Sequence, residues 1–340
     1  MGRVQRTLGV ASIVVVSSAG CSDDGVPADE TPGSGSEGAG ATSGSTIADP
    51  TSASPTSSDG GAGDAESGGD PGASSDGDST GANAEGSPGC GSPYVGDPVV
   101  SGQIDVAGEP RTFVLSVPAG YDPEVPTTLV FAWHGLGGNG ELARLYFNVE
   151  EASAGQAIFV YPDALPQASS GGQTGWELIN DGSDLQFFDT LFAELTNNLC
   201  VAPERVFSTG HSFGGYMSNA LGCFRADVLR AIAPVAGGPP FQGCQSERVA
   251  AWMAHGTVDA VVPFAQGELA RDLVTDRNGC GTETVATPPE PCAAFEGCDA
   301  DYPVTWCAHD LSDGDGHAWP PFAADAIWAF FDGLPVPANP

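Results

Sequence analysis

Three side chains in this sequence could together carry out nucleophilic chemistry on an acyl group. Gly210-His211-Ser212-Phe213-Gly214 is a G-x-S-x-G that directly follows an apolar run suited to a strand and directly precedes a helix-length stretch rich in small residues. A strand turning sharply into a helix forces its central residue into strained backbone angles, and glycine two positions to either side lets the two elements approach. Such a turn lifts the Ser212 hydroxyl to the carboxyl end of a sheet, above the positive end of a helix. In a chain with 48 glycines the pattern alone carries little weight. Its placement between strand and helix is what makes it specific.

A serine hydroxyl is a weak nucleophile at neutral pH and needs a base. Of the five histidines, His317 falls in Asp313-Gly314-Asp315-Gly316-His317-Ala318-Trp319-Pro320, a loop after the last expected strand. That is where the final member of a Ser, acid, His chain order belongs. His134, His255 and His309 stand at strand ends, and His211 adjoins the nucleophile with its side chain expected to point away at the elbow; for all four a structural hydrogen-bonding role is the expectation. The acid should lie between Ser and His in the chain, just after a strand. Asp259 in His255-Gly256-Thr257-Val258-Asp259 fits. Asp227 comes too early, and Asp299, Asp301, Asp310, Asp313 and Asp315 share an acid-dense region that favours solvated carboxylates.

The oxyanion formed on attack needs two N–H donors, one following the nucleophile and one from the loop after the third strand. These are Phe213 and Leu136, the latter in His134-Gly135-Leu136-Gly137-Gly138-Asn139-Gly140. A glycine loop could instead cradle phosphate, but no lysine follows as a P-loop requires and G-x-G-x-x-G is absent. The chemistry calls for no cofactor and no metal. No C-x-x-C pair occurs, and the histidines lack ligand spacing.

The elements able to position these groups are legible as alternating apolar runs and amphipathic stretches. Strands are expected at 103–106, 112–117, 129–133, 157–161, 205–209, 231–235, 250–254 and 304–308, and helices at 141–154, 185–199, 213–224, 266–277 and 322–331. This is the pattern of a mainly parallel eight-stranded sheet with helices on both faces, the α/β-hydrolase fold. Two long irregular stretches, 162–182 and 279–302, exceed what a crossover needs. Trp176 in the first could form a pocket wall. Cysteines in the second suggest cross-links near the site.

Before this domain, expected at 90–340, the sequence is of another kind. Residues 1–21 read as an export signal, with Arg3 and Arg6 ahead of an apolar run too short to span a bilayer. The segment ends Ser18-Ala19-Gly20-Cys21, similar to a bacterial lipoprotein cleavage box, although Ser18 replaces the usual leucine. Lipidation at Cys21 is therefore an expectation beside ordinary signal cleavage, and it is the only membrane contact foreseen. Residues 22–89 hold no aromatic, Lys or Arg, and cannot bury enough apolar surface to offset ordering entropy. They read as an acidic Gly/Ser-rich linker.

The chain carries 44 acids against 10 bases, a net charge of -34, and 31 of the acids fall outside 22–89. So strong a negative field excludes nucleic acid as a partner. Besides Cys21 there are eight cysteines, Cys90, Cys200, Cys223, Cys244, Cys280, Cys292, Cys298 and Cys307. An even number behind an export signal suggests four disulfides, whose pairing the count leaves open. A monomer is expected.

From Cys90 to Phe331 the sequence resembles the feruloyl esterases and poly(3-hydroxybutyrate) depolymerases of carbohydrate esterase family 1. The likeness rests on Arg111 to Leu115, the HG-x-GG loop at His134, Tyr161-Pro162-Asp163, Arg205 to Ser218, and Ala231 to Val235. It continues through His255-Gly256 with Asp259, Asn278-Gly279-Cys280, and Gly316 to Pro320. The resemblance places nucleophile, acid and base on Ser212, Asp259 and His317. It implies hydrolysis of carboxylic esters: feruloyl esters of plant cell-wall polysaccharide first, polyhydroxybutyrate or acetylxylan as alternatives. A ferulate substrate would make Trp176 and Trp319 candidate walls of an aromatic pocket. The resemblance also implies the pairs Cys223–Cys244, Cys280–Cys298 and Cys90–Cys200, leaving Cys292–Cys307. A binding module that keeps the scaffold without turnover is the reading of another class, and the complete triad counts against it.

Overall fold

The computed structural model describes residues 86–244 and 247–336. The expected export signal, Cys21 and the linker as far as residue 85 lie outside the described residues. The first described residues, 86–89, belong to the stretch expected as linker. Ser87 is buried, donating its N–H to Val201 O and its hydroxyl to Leu199 O, and Gly89 N donates to Thr196 O. The Cys90–Cys200 disulfide then fastens this entry segment to the sheet.

Twelve strands and six α-helices follow in order among the described residues. They are β1 (Val99–Val106), β2 (Glu109–Ser116), β3 (Thr127–Trp133), α1 (Gly140–Phe147), α2 (Val149–Ala152), β4 (Ala157–Pro162), β5 (Leu165–Pro166) and β6 (Thr174–Gly175). Next come α3 (Ser183–Asn198), β7 (Val201–His211), α4 (Phe213–Phe224), β8 (Ala231–Val235), β9 (Ala250–Gly256) and α5 (Phe264–Arg277). Last are β10 (Thr284–Ala286), β11 (Cys292–Phe295), β12 (Val304–His309) and α6 (Ala323–Gly333).

The main sheet has ten strands in the order β1-β2-β4-β3-β7-β8-β9-β12-β11-β10, which corrects the expected eight. The two additional strands come from the stretch 279–302, read from sequence as irregular. They are three and four residues long, separated by a connection containing Pro288, Pro289 and Pro291, and too short to show an alternating pattern. Cys292 lies opposite Cys307 in the β11–β12 register and is bonded to it, so a cross-link holds a segment with little burial of its own. All four implied disulfides are present, Cys223–Cys244 and Cys280–Cys298 included.

Strands β3, β4, β7, β8, β9 and β12 run parallel to their neighbours, and antiparallel partners flank them on both edges. Successive side chains of β3 serve opposite faces: Leu129, Phe131 and Trp133 pack against α3 and α4, while Val130 and Ala132 pack with α1 and α6. Near-continuous apolar runs are what a parallel sheet covered on both faces requires. The single helix expected at 141–154 is broken at Asn148, whose positive φ of 56° closes α1 and opens α2.

Candidate active site

Ser212 joins β7 to α4 with φ 57° and ψ -120°, a conformation most residues avoid. Close backbone approach permits it: a Cβ on Gly210 would strike the Gly214 carbonyl, and one on Gly214 the Trp133 carbonyl. The strain, about 1–3 kcal/mol, is met by the packed strand and helix on either side. Ser212 N is satisfied by Val235 O at 2.9 Å, so the hydroxyl alone points to the substrate side.

His317 Nε2 lies 2.7 Å from Ser212 Oγ, and its Nδ1 lies 2.7 Å from Asp259 Oδ2. A carboxylate only accepts, so Nδ1 carries the proton and leaves Nε2 free to accept from the serine hydroxyl. The Asp259 side chain is fully buried, and its Oδ1 accepts from Val261 N and Val262 N, both at 2.8 Å. The loops bearing acid and base are joined where Ala260 N donates to Asp315 O. Gly316, at φ 78°, lies directly on the Val258–Asp259 backbone, and a side chain there would drive the loops apart.

Leu136 N and Phe213 N donate to no acceptor among the described residues, whereas the neighbouring Gly137 N donates to Thr174 O and Gly138 N to Gly135 O. The glycine loop is braced from behind. Trp176 Nε1 donates to His134 O at 2.8 Å, Thr174 Oγ1 donates to Gly138 O, and Asp163 Oδ1 accepts from Gly140 N. Ala164 N donates to His134 Nε2, so the His134 proton resides on Nδ1 and is given to Gly135 O at 2.6 Å. Burial lowers the pKa of His134 and keeps it in this neutral form. The buried Arg111–Asp184 pair completes the frame, since Asp184 also accepts from Glu177 N beside Trp176.

Trp176 is thus a strut and not a pocket wall. At 1% exposure it is packed edge-on against Trp133 and close to His134, its indole N–H spent on the loop. Trp319 is stacked on Phe147 at 4.4 Å and is 9% exposed, which makes it chiefly a core residue beneath the base loop. In both cases a large ring gains more from burial than from facing water.

Two further histidines surround the triad. His211 Nε2–H donates to His317 O at 2.5 Å, and burial, reinforced by the charge of His317, lowers its pKa to about 4. His255 Nε2 lies 2.9 Å from Val262 O and 3.3 Å from Asp259 Oδ2 and is fully buried, which lowers its pKa. Both were read from sequence as structural; their structural work is to hold the base and the acid. A surface cavity of about 500 Å³, bordered by Pro98, Arg144, Asn148 and Glu150, touches none of the triad and is separate from this chemistry.

A strained serine at a strand-helix elbow, hydrogen-bonded to a histidine and a buried carboxylate on a mainly parallel sheet, defines a carboxylic ester hydrolase of the α/β-hydrolase fold. No protein-family model matches the chain. It is 33% identical over 240 residues to feruloyl esterase C of Emericella nidulans, covering 65% of this chain and 83% of that one. It is 31% identical over 250 residues to feruloyl esterase D of Neurospora crassa, covering 67% and 83% respectively. The chain belongs to the feruloyl esterase family. Among solved structures, an acetyl xylan esterase from Aspergillus awamori shares the fold with TM-score 0.54 at 15% identity, over 68% of this chain and 99% of that one.

Proposed function

We propose that this protein hydrolyses feruloyl and related hydroxycinnamoyl esters of plant cell-wall polysaccharide through an acyl-enzyme on Ser212. The observation that carries the reading is the unbroken row from Ser212 Oγ through His317 to Asp259, with 2.7 Å at each step, in a member of the feruloyl esterase family. His317 Nε2 takes the hydroxyl proton as Ser212 Oγ attacks the ester carbonyl. Leu136 N and Phe213 N receive the oxyanion. The C–O bond to the alcohol then breaks, and His317 gives its proton to the leaving oxygen. Water, deprotonated by the same imidazole, attacks the acyl-serine; as the acyl–Oγ bond breaks the imidazole returns that proton to Ser212 Oγ, and the free acid leaves. Asp259 keeps the imidazole in the required tautomer and stabilises its charged form.

The remaining sequence expectations belong to the same proposal: export through 1–21, a linker over most of 22–89, a lipid on Cys21, and a monomeric enzyme. They are supported by composition and motif. Palmitate labelling of the full chain in a bacterial host, lost in Cys21→Ala, is the expected result for the lipid; equal labelling of both would contradict it.

The test of substrate class is release of ferulic acid from methyl ferulate beside release of 3-hydroxybutyrate from its short oligomers. A higher kcat/KM on methyl ferulate is expected. Preference for the aliphatic oligomer would contradict the feruloyl reading.

A further inference from the structure

Trp176 and Trp319 are committed to the interior, whereas a chain of three other rings starts at the residue that follows Ser212. Phe213 follows the nucleophile and provides one oxyanion donor. Its ring centroid lies 6.3 Å from that of Tyr216, which in turn lies 5.8 Å from that of Phe241. Both separations are within the range of direct ring contact. Tyr216 stands one helical turn from Ser212, donating its N–H to Ser212 O at 3.0 Å. One turn advances about 5.4 Å, comparable to the distance a propenoyl bridge sets between an ester carbonyl and its ring.

Phe241 is 67% exposed. A single exposed phenylalanine needs no explanation, but this one sits on a loop held at three points. Asn219 Nδ2 donates to Gly238 O, Asn180 N donates to Gln242 Oε1, and Cys244 is bonded to Cys223 of α4. The Tyr216 ring lies against Gly238, where a Cβ would fall 2.5 Å from its ring and hydroxyl atoms, and Gly175 likewise makes room for the Phe213 ring. The Tyr216 hydroxyl has no hydrogen-bond partner among the described residues, and burial first, with the Asp259 charge behind it, raises its pKa. Phe213 and Tyr216 are half-buried against the core and Phe241 is exposed, so the three rings make a held, partly open surface that begins at an oxyanion donor.

We propose that Phe213, Tyr216 and Phe241 form the platform that receives the aromatic ring of the acyl group. The inference rests on the feruloyl reading and assigns its specificity to these rings. The leaving oxygen must face His317 Nε2 and the oxyanion must face Leu136 N and Phe213 N, so the platform is assigned to the third substituent of the acyl carbon, its acyl chain.

The test compares kcat/KM for methyl ferulate with kcat/KM for methyl butyrate in the full chain and in Phe241→Ala, Phe241→Trp and Tyr216→Leu. A stacked ring contributes enough for the ferulate-to-butyrate ratio to fall about tenfold in Phe241→Ala, mostly through KM. Phe241→Trp restores the ratio, and Tyr216→Leu lowers it with ferulate KM rising more than kcat falls. An unchanged ratio in Phe241→Ala and Tyr216→Leu would overturn the platform, as would a change that follows the alcohol when methyl and larger alkyl ferulates are compared. The two readings fail separately. If the wild type shows no ferulate preference, the substrate class is wrong; if it prefers ferulate and both variants keep that preference, only the platform is wrong.

Discussion

His211 gives its Nε2–H to the main-chain carbonyl of His317, 2.5 Å away, so the residue before the nucleophile holds the backbone of the residue that bears the base. Tyr146 and Trp319 pack edge-on against the His211 ring and keep it in place. His211→Phe keeps the ring volume and removes the donor. We expect kcat to fall roughly tenfold or more with little change in KM, since a base misplaced by a fraction of an ångström costs rate and not ground-state binding. His211→Gln, which retains a donor, should recover part of the loss. Equal kcat in His211→Phe and wild type would contradict the role.

Asp259→Asn should lower kcat by roughly ten-thousandfold while leaving the fold intact, because an amide favours the wrong tautomer of His317. Steady-state kinetics on methyl ferulate beside a thermal melt measure both. A large loss from Asp310→Asn or Asp315→Asn, with Asp259→Asn nearly active, would move the acid elsewhere.

Trp176→Phe removes the donor to His134 O and leaves a buried carbonyl unpaired, at about 1–3 kcal/mol of stability. The oxyanion loop loses its brace, so kcat should fall while KM changes little. Were Trp176 a substrate contact, KM would carry the effect instead.

Stability should decline on mild acidification. Burial, the first cause in each case, lowers the pKa of His134, His211, His255 and His309 below the usual 6.5. Between that value and the folded value, about 4 for His211, the unfolded chain binds more protons, so stability is full above about pH 6.5 and is lost as pH falls. His211 alone removes about 2 kcal/mol by pH 5, a pH at which most carboxylates remain charged. Tm should drop by roughly 5 °C or more from pH 7 to pH 5. A flat or rising Tm would contradict the burial of these rings.

Residues whose role follows from chain order were legible in the sequence: Ser212 and Asp259 sit just after strands and His317 in the loop that follows the last one, and the structure brings the three within hydrogen-bonding distance. The helix at 213–224 was read to the residue because Ser212 sets its start and an apolar face its length. Contacts between distant segments were not legible. Nothing local in Gly316 announces that it lies on the Val258–Asp259 backbone, and the elbow suggests only that the His211 ring points away from the nucleophile, not that it reaches the His317 carbonyl. Trp176, in a Gly-rich irregular stretch, reads as a pocket wall, whereas it serves as the buried brace of the distant loop at His134. Strands β10 and β11 escaped notice because disulfides, not hydrophobic periodicity, hold them.

The central claim is a covalent acyl-enzyme on Ser212, and the most direct measurement is intact and peptide mass spectrometry after rapid acid quench of the enzyme turning over p-nitrophenyl ferulate. The account predicts one feruloyl group per chain, on the peptide containing Ser212, with a burst of p-nitrophenol of matching size and neither signal in Ser212→Ala. Turnover in Ser212→Ala, or a feruloyl group on any other residue, would contradict it.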